Sequence, residues 1–412
     1  MKSKKSLKFN KSSIRLLIEL LLITVSIFVL TNTSGANYVF NSLMAGAEGE
    51  EDNTNGFTIS NNICSISSYN GLINFSQSYN ANPSGYYNIT VVEFSHTQGE
   101  LQGILTGAAG FVSLGTDIYP FKADIHVADG SSLNFVADTP LFAYVYDSVK
   151  ITDMNGTTSV PVTIARSSEG NTALFAENVR HLENNDTPSD WTVNIIDYKE
   201  GESLITTQYF AGVIGTIEGS IEGTVEGGAK VGLTVNSAVT GGVKVISNGD
   251  VGLACCKMGA GSSLNVNVSG VSLYNVESTG GYAGGLVGSA TDAEVIFDSA
   301  AAASIGGTVS GNKGTGGVFG YYENTQNGEY GLGGYKVNCT LNGNNCGGIF
   351  GELKNSDTGT MTINNLVNGQ ADIDPTTADT IVASVKILLT EAVYTADLLV
   401  YIPPTTPAIP LL

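Results

Sequence analysis

Gly284-Gly285-Leu286-Val287-Gly288, Gly316-Gly317-Val318-Phe319-Gly320 and Gly347-Gly348-Ile349-Phe350-Gly351 are near-copies of one step, their second glycines 32 and then 31 residues apart. A fixed period of this size marks a stack of equal units, each too short to bury its own apolar face. Weaker small-apolar-apolar-small steps continue the series backwards. They are Gly252-Leu253-Ala254-Cys255, Gly212-Val213-Ile214-Gly215, Ala173-Leu174-Phe175-Ala176, Pro140-Leu141-Phe142-Ala143, Gly103-Ile104-Leu105-Thr106 and Gly71-Leu72-Ile73-Asn74. From first to last the nine are spaced 32, 37, 33, 39, 40, 33, 32 and 31 residues.

Between steps the sequence alternates as strands do, in Leu264-Asn265-Val266-Asn267-Val268, Asp124-Ile125-His126-Val127 and Thr360-Met361-Thr362-Ile363. Asn-Gly pairs at Asn55, Asn70, Asn155, Asn248, Asn327, Asn342 and Asn368 punctuate the runs with turn chemistry. A unit of about 32 residues at roughly 3.3 Å per residue has a perimeter near 100 Å, enough for three short strands and three corners. The expected fold is all-β, a right-handed parallel β-helix (solenoid) of about nine coils. In it the apolar pair of each step stacks on its counterpart one coil away. A β-propeller would need longer blades and a blade signature, yet Trp191 is the one tryptophan. Leucine-rich repeats would need a Leu-x-x-Leu-x-Leu frame that is missing.

The ends read differently. Residues 1–36 place Lys2, Lys4, Lys5, Lys8, Lys11 and Arg15 before an apolar run from Leu16 to Leu30 and a small polar stretch ending Ser34-Gly35-Ala36. That is the order of a secretory signal peptide, and the run is short of the about 20 residues a spanning helix needs. An uncleaved anchor is the alternative. Residues 37–56 read as a flexible leader, 57–372 as the β-helix repeat domain, and 373–412 as an irregular tail or linker. The Pro-rich close, Ile402-Pro403-Pro404, suggests that a longer protein continues beyond it.

The whole chain has 18 basic and 38 acidic residues, a net charge of −20. Such a surface disfavours nucleic acid and anionic lipid as partners, so no nucleic acid is expected, and no membrane except through the N-terminal segment. The expected location is secreted or cell-surface. Five cysteines show no metal spacing and read mostly as small core residues, although Cys339 and Cys346 are placed to close a small loop.

The three clear glycine steps resemble the GLUG motif of large bacterial cell-surface proteins, a repeat also found in the N-terminal part of immunoglobulin A proteases. The resemblance covers about residues 250–355 and is diffuse before that. It implies an exported β-helical stalk or adhesin-like region, one that in such proteins precedes Ig-like modules and a wall anchor. Peptidase activity is not implied, because H-E-x-x-H is absent.

No catalytic, cofactor-binding or metal-binding set emerges from the residues. The enzyme alternative for a β-helix is a polysaccharide lyase or glycoside hydrolase, which needs clustered carboxylates. Asp117, Asp124, Asp129, Asp138, Asp147 and Asp153 are the nearest approach to that. His96, His126 and His181 stand apart, and the glycine steps lack the Gly-Lys-Ser/Thr ending of a phosphate loop. Tyrosines gather at Tyr69, Tyr79, Tyr86 and Tyr87 and again at Tyr321, Tyr322, Tyr330 and Tyr335, where exposed rings would suit glycans or proteins as partners.

Overall fold

In the computed structural model the described residues run from 55 to 355, apart from 96–102, 129–132, 184–186, 201–202, 206–208, 221–226, 270–273, 298–304, 326–330, 334–336 and 344; beyond 355 only strands at 361–364, 372–373 and 387–390 are described. All of them belong to one compact unit, Asn53–Leu412. The segments read as signal peptide and leader lie almost wholly outside the described residues, as does most of the segment read as tail. Ile387–Thr390, within that last segment, pairs in parallel with Met361–Asn364.

The architecture is a parallel β-solenoid. One side is a seven-stranded sheet in strict chain order: Phe142–Tyr146, Ala176–Arg180, Ile214–Ile217, Cys255–Met258, Val287–Thr291, Phe319–Asn324 and Phe350–Asn355. A second side is a ten-stranded sheet running from Gly103–Leu105 to Ile387–Thr390. These two sides persist, but the third changes along the stack. In the early windings it is a five-stranded sheet, such as Asp124–Val127 and Ile151–Asp153, whose strands follow the seven-stranded side. From Val243 onward it is another five-stranded sheet plus a four-stranded one of two- and three-residue strands, lying after the ten-stranded side. The later windings therefore carry four strands each, where three were expected.

Seven of the nine glycine-type steps form rungs of the seven-stranded sheet. The ladder runs Phe142, Ala176, Ile214, Cys255, Val287, Phe319, Phe350, each opposite the next. Leu286, Val318 and Ile349 stack likewise, with Leu286 N donating to Val318 O and Val318 N to Ile349 O, and all three are buried. The expected alignment slips by one residue at two rungs, since Ala176 and not Phe175, and Cys255 and not Ala254, take the ladder position. The remaining two steps belong elsewhere. Gly103-Ile104-Leu105 forms the first strand of the ten-stranded sheet. Gly71-Leu72-Ile73-Asn74 lies in a helix, α1 (Tyr69–Ala81).

Helix α1 begins at Ser68, whose hydroxyl accepts from Gly71 N at 3.0 Å. Leu72, Phe75, Ser76 and Tyr79 are buried on one face. That face closes the end of the core: Leu72 shares an apolar cavity with Phe94, Leu114 and Phe121, and Tyr79 packs on Phe121 at 5.6 Å between centroids. Gln77 and Asn80 tie the helix to the first winding through Gly110 O and Ser113 O. Outside it, Phe57–Ser60 folds back antiparallel on Ile63–Ile66 through a turn with positive φ at Asn61 and Asn62. A solenoid end needs such a lid, because an uncovered terminal coil exposes both core and backbone edge.

Inside, aromatic rings run from the lid into the stack. Tyr79, Phe121, Phe142, Phe175 and Trp191 touch in sequence at 5.2 to 5.6 Å, and Phe319 stacks on Phe350 at 5.3 Å further on. The glycines of the step are explained by space. A Cβ on Gly316 would meet Phe319 O at 1.8 Å and Gly351 N at 2.6 Å, and one on Gly320 would meet Gly288 O at 2.6 Å. Backbones of adjoining strands cross there too closely for any side chain.

Candidate functional site

Among the described residues, the aspartates that an enzyme reading would use are each committed to a local structural task. Asp117 pairs with Arg180 at 2.7 Å, and Arg180 also grips Glu218 at 2.7 Å. Asp124 accepts from Lys150 N, Asp138 from Gly107 N, and Asp153 from Thr157 N and Thr158 N. Those turn amides hold the Asp153 carboxyl below its ordinary range. Asp147 is 1 % exposed and accepts from His181 Nδ1 at 2.8 Å, Leu182 N at 3.0 Å and Lys230 N at 3.0 Å. It fastens three successive windings together. Asp129 lies outside the described residues. Among the described residues no three His, Cys, Asp or Glu side chains gather as a metal site.

His126 lies half-buried on the strand Asp124–Val127, and His181 serves Asp147, so the structure does not bring these two together. His96 is outside the described residues. All five thiols are free, including Cys339 and Cys346, and four are buried. Cys339 faces inward opposite Gly307 and Cys346 opposite Thr315, in different sheets. Arg166, which the sequence did not single out, is 1 % exposed and donates to Ser168 O, Ala173 O and Thr172 Oγ1, shaping the loop it spans.

The amino-terminal tyrosines mostly build the lid. Tyr69 packs on Phe94 and hydrogen-bonds Asn134 O, while Tyr79 and Tyr86 surround Phe75. Tyr87 sits against Tyr119 with Lys122 Nζ 3.7 Å from its centroid. At the other cluster Tyr322 is a core residue whose hydroxyl donates to Ala293 O at 2.7 Å. Tyr330 and Tyr335 are outside the described residues. Tyr321 alone of that group is seen to face outward, half-exposed.

Its partner is Tyr282, which sequence reasoning passed over. The two rings lie 5.0 Å apart at 36°. Tyr282 stands opposite Gly314 in the four-stranded sheet, and a Cβ on Gly314 would lie only 3.1 Å from its Cδ1. The ring thus lies across the glycine, along the stack, and its hydroxyl reaches Glu352 Oε2 at 2.9 Å, two windings on. Tyr321 donates to Glu323 Oε2 at 3.0 Å, and Lys354 pairs with Glu323. Asp250 fixes the near end, accepting from Tyr282 N at 3.0 Å and Ser289 Oγ at 2.8 Å. Lys313 Nζ stands 5.5 Å from the Tyr282 centroid. Partial burial, then the adjacent carboxylates, push both phenols above their ordinary range, so both remain protonated donors at neutral pH.

The outward face of the ten-stranded sheet is a contrasting surface. Asn236 Nδ2 donates to Asn194 Oδ1 at 2.8 Å and Asn194 Nδ2 to Thr163 Oγ1 at 3.3 Å, a polar ladder that joins strand to strand. The cavity beneath α1 is apolar and no larger than a single water, a packing gap rather than a ligand chamber. No family model, curated protein or solved structure matches the chain.

Proposed function

We propose that the chain is an exported, cell-surface β-solenoid that acts without catalysis, as a stalk or adhesin-like binding region. The observation that carries this reading is the in-register stacking of equivalent residues over seven strands around a largely apolar core. Such a scaffold presents side chains at a repeat of about 4.8 Å and recognises partners by surface rather than by cavity. The charged, apolar, polar order of residues 1–36 supports export, and the net charge of −20 speaks against nucleic acid as the partner. The glycine steps' resemblance to GLUG-containing surface proteins points the same way.

The test is to display the full chain on beads against arrays of glycans and matrix proteins, and to follow the native protein by protease shaving of intact cells. Capture of an array ligand together with loss of the protein on shaving is the expected result. A protein retained inside the cell, or one that releases reducing or unsaturated sugars from polysaccharides, contradicts it.

A further inference from the structure

The corner where the four-stranded and seven-stranded sheets meet has the parts of a sugar-stacking platform. Two partly buried tyrosine rings pack on each other at 5.0 Å, tilted by 36°, and one edge of the Tyr282 ring lies against Gly314. Both rings keep some surface open to solvent, and the negative face of an aromatic ring attracts the weakly positive C–H groups of a pyranose. The hydroxyls are already tied to Glu352 and Glu323, so the rings are fixed in place before any ligand arrives. Each carboxylate oxygen accepts more than one hydrogen bond, which leaves Glu323 and Glu352 acceptor capacity for the rim hydroxyls of a sugar.

Charge narrows the class. Asp250, Glu323 and Glu352 bring three negative charges to the corner, and Lys313, Lys354 and Lys257, the last one rung from Ser289, bring three positive ones. The corner therefore offers a uronic or sulfated glycan no excess of positive charge to bind it, whereas a neutral chain of hexoses needs none. A protein partner is less suited, since a stable interface requires about 800 Å² on each side, much more than two rings with a charged rim.

We propose that Tyr282 and Tyr321 form a subsite for the pyranose rings of a neutral, hydroxyl-rich glycan, with Glu352 and Glu323 accepting from its hydroxyls. This rests on the surface-binding reading above and names the ligand class of that surface. Gly314 belongs to the subsite as the residue against which the edge of the Tyr282 ring packs.

The test uses the full chain in affinity electrophoresis and calorimetry with neutral polysaccharides (β-glucan, mannan, galactan) beside polygalacturonate and a sulfated glycan. The expected result is retention by at least one neutral polymer, nearly indifferent to salt. Tyr282→Ala and Tyr321→Ala should each weaken it by about tenfold or more, while Tyr282→Phe stays within about threefold, as loss of a stacking face outweighs loss of one hydroxyl. Gly314→Ala should weaken binding with both rings retained, and Lys150→Ala, exposed in the early windings, should leave it unchanged. Circular dichroism and melting curves identify any variant that fails to fold, in which case Tyr282→Phe paired with Gly314→Ala decides. Preference for the acidic polymers overturns the subsite, and so does neutral-glycan binding untouched by the tyrosine and glycine variants. Capture of array proteins with no glycan also overturns the subsite while the surface-binding reading stands. Capture of nothing overturns both.

Discussion

At the scale of single residues, the glycine of the step is the most exacting requirement. Gly316 has no room for a methyl group, because the atoms it would meet are backbone and not the ends of mobile side chains. Gly316→Ala is expected to destabilise by about 2 kcal/mol or more, the cost of forcing packed backbone apart. Gly107→Ala, where nothing lies within 4 Å, is the matched control and should be close to neutral. Urea unfolding of the two variants measures the difference, and equal midpoints would contradict the close-crossing account. Buried thiols make a second residue-scale prediction. Burial pushes Cys64, Cys255 and Cys339 up to about 12, against 9.0 for an exposed thiol. As pH rises the unfolded chain loses these protons first. Stability is therefore intact below about pH 9 and falls between about 9 and 12. A urea midpoint lower at pH 11 than at pH 8 is expected, and a flat profile would show that these thiols are not desolvated. Asp147 belongs here too. Asp147→Ala leaves two backbone amides and His181 without their acceptor, at a cost of about 3 kcal/mol read from the same titration.

At the scale of elements, the period was legible throughout and the register at five of the seven rungs. Leu286-Val287 and Val318-Phe319 sit between glycines, so their alignment had one solution. In Leu174-Phe175-Ala176 and Leu253-Ala254-Cys255 all three residues are buried. Hydropathy cannot then choose between neighbouring alignments, and the one-residue slips follow. Helix α1 was missed because Gly71-Leu72-Ile73-Asn74 imitates the step. The signal that distinguishes it is the spacing of Leu72, Phe75, Ser76 and Tyr79 after Ser68, a helical period following a capping residue. Half of the candidate site was legible: Tyr321 lay in a visible cluster, but Tyr282 acquires its meaning from Gly314, 32 residues away, and from Glu352, 70 residues away. No local pattern records that meeting. The lid gives the prediction at this scale. Tyr79→Ala removes a ring that packs on Phe75, Tyr86 and Phe121, and should cost about 3–5 kcal/mol. It should also make the protein self-associate, by baring the first winding's core and edge. Thermal melting and light scattering check both effects, and a monomeric variant of unchanged stability would show that α1 is an ornament.

At the scale of the whole solenoid, strand pairing runs between neighbouring windings and a few side chains, Asp147 and Tyr282 among them, reach one winding further, so stability is close to a sum over adjacent interfaces. Hydrogen exchange should be slowest in the central rungs Ile214, Cys255 and Val287, which have a paired strand on both sides, and faster toward Phe350–Asn355. Uniform protection along the ladder would instead mean that the windings unfold as one block. The order of parts along the chain adds a temporal consequence. The hairpin and helix that seal one end precede in sequence every turn they shelter, so a polypeptide delivered amino end first brings its own seed. Each later loop of backbone finds a finished template on one side and open solvent on the other. Growth is thereby given a direction, as bricks are laid on a course already set.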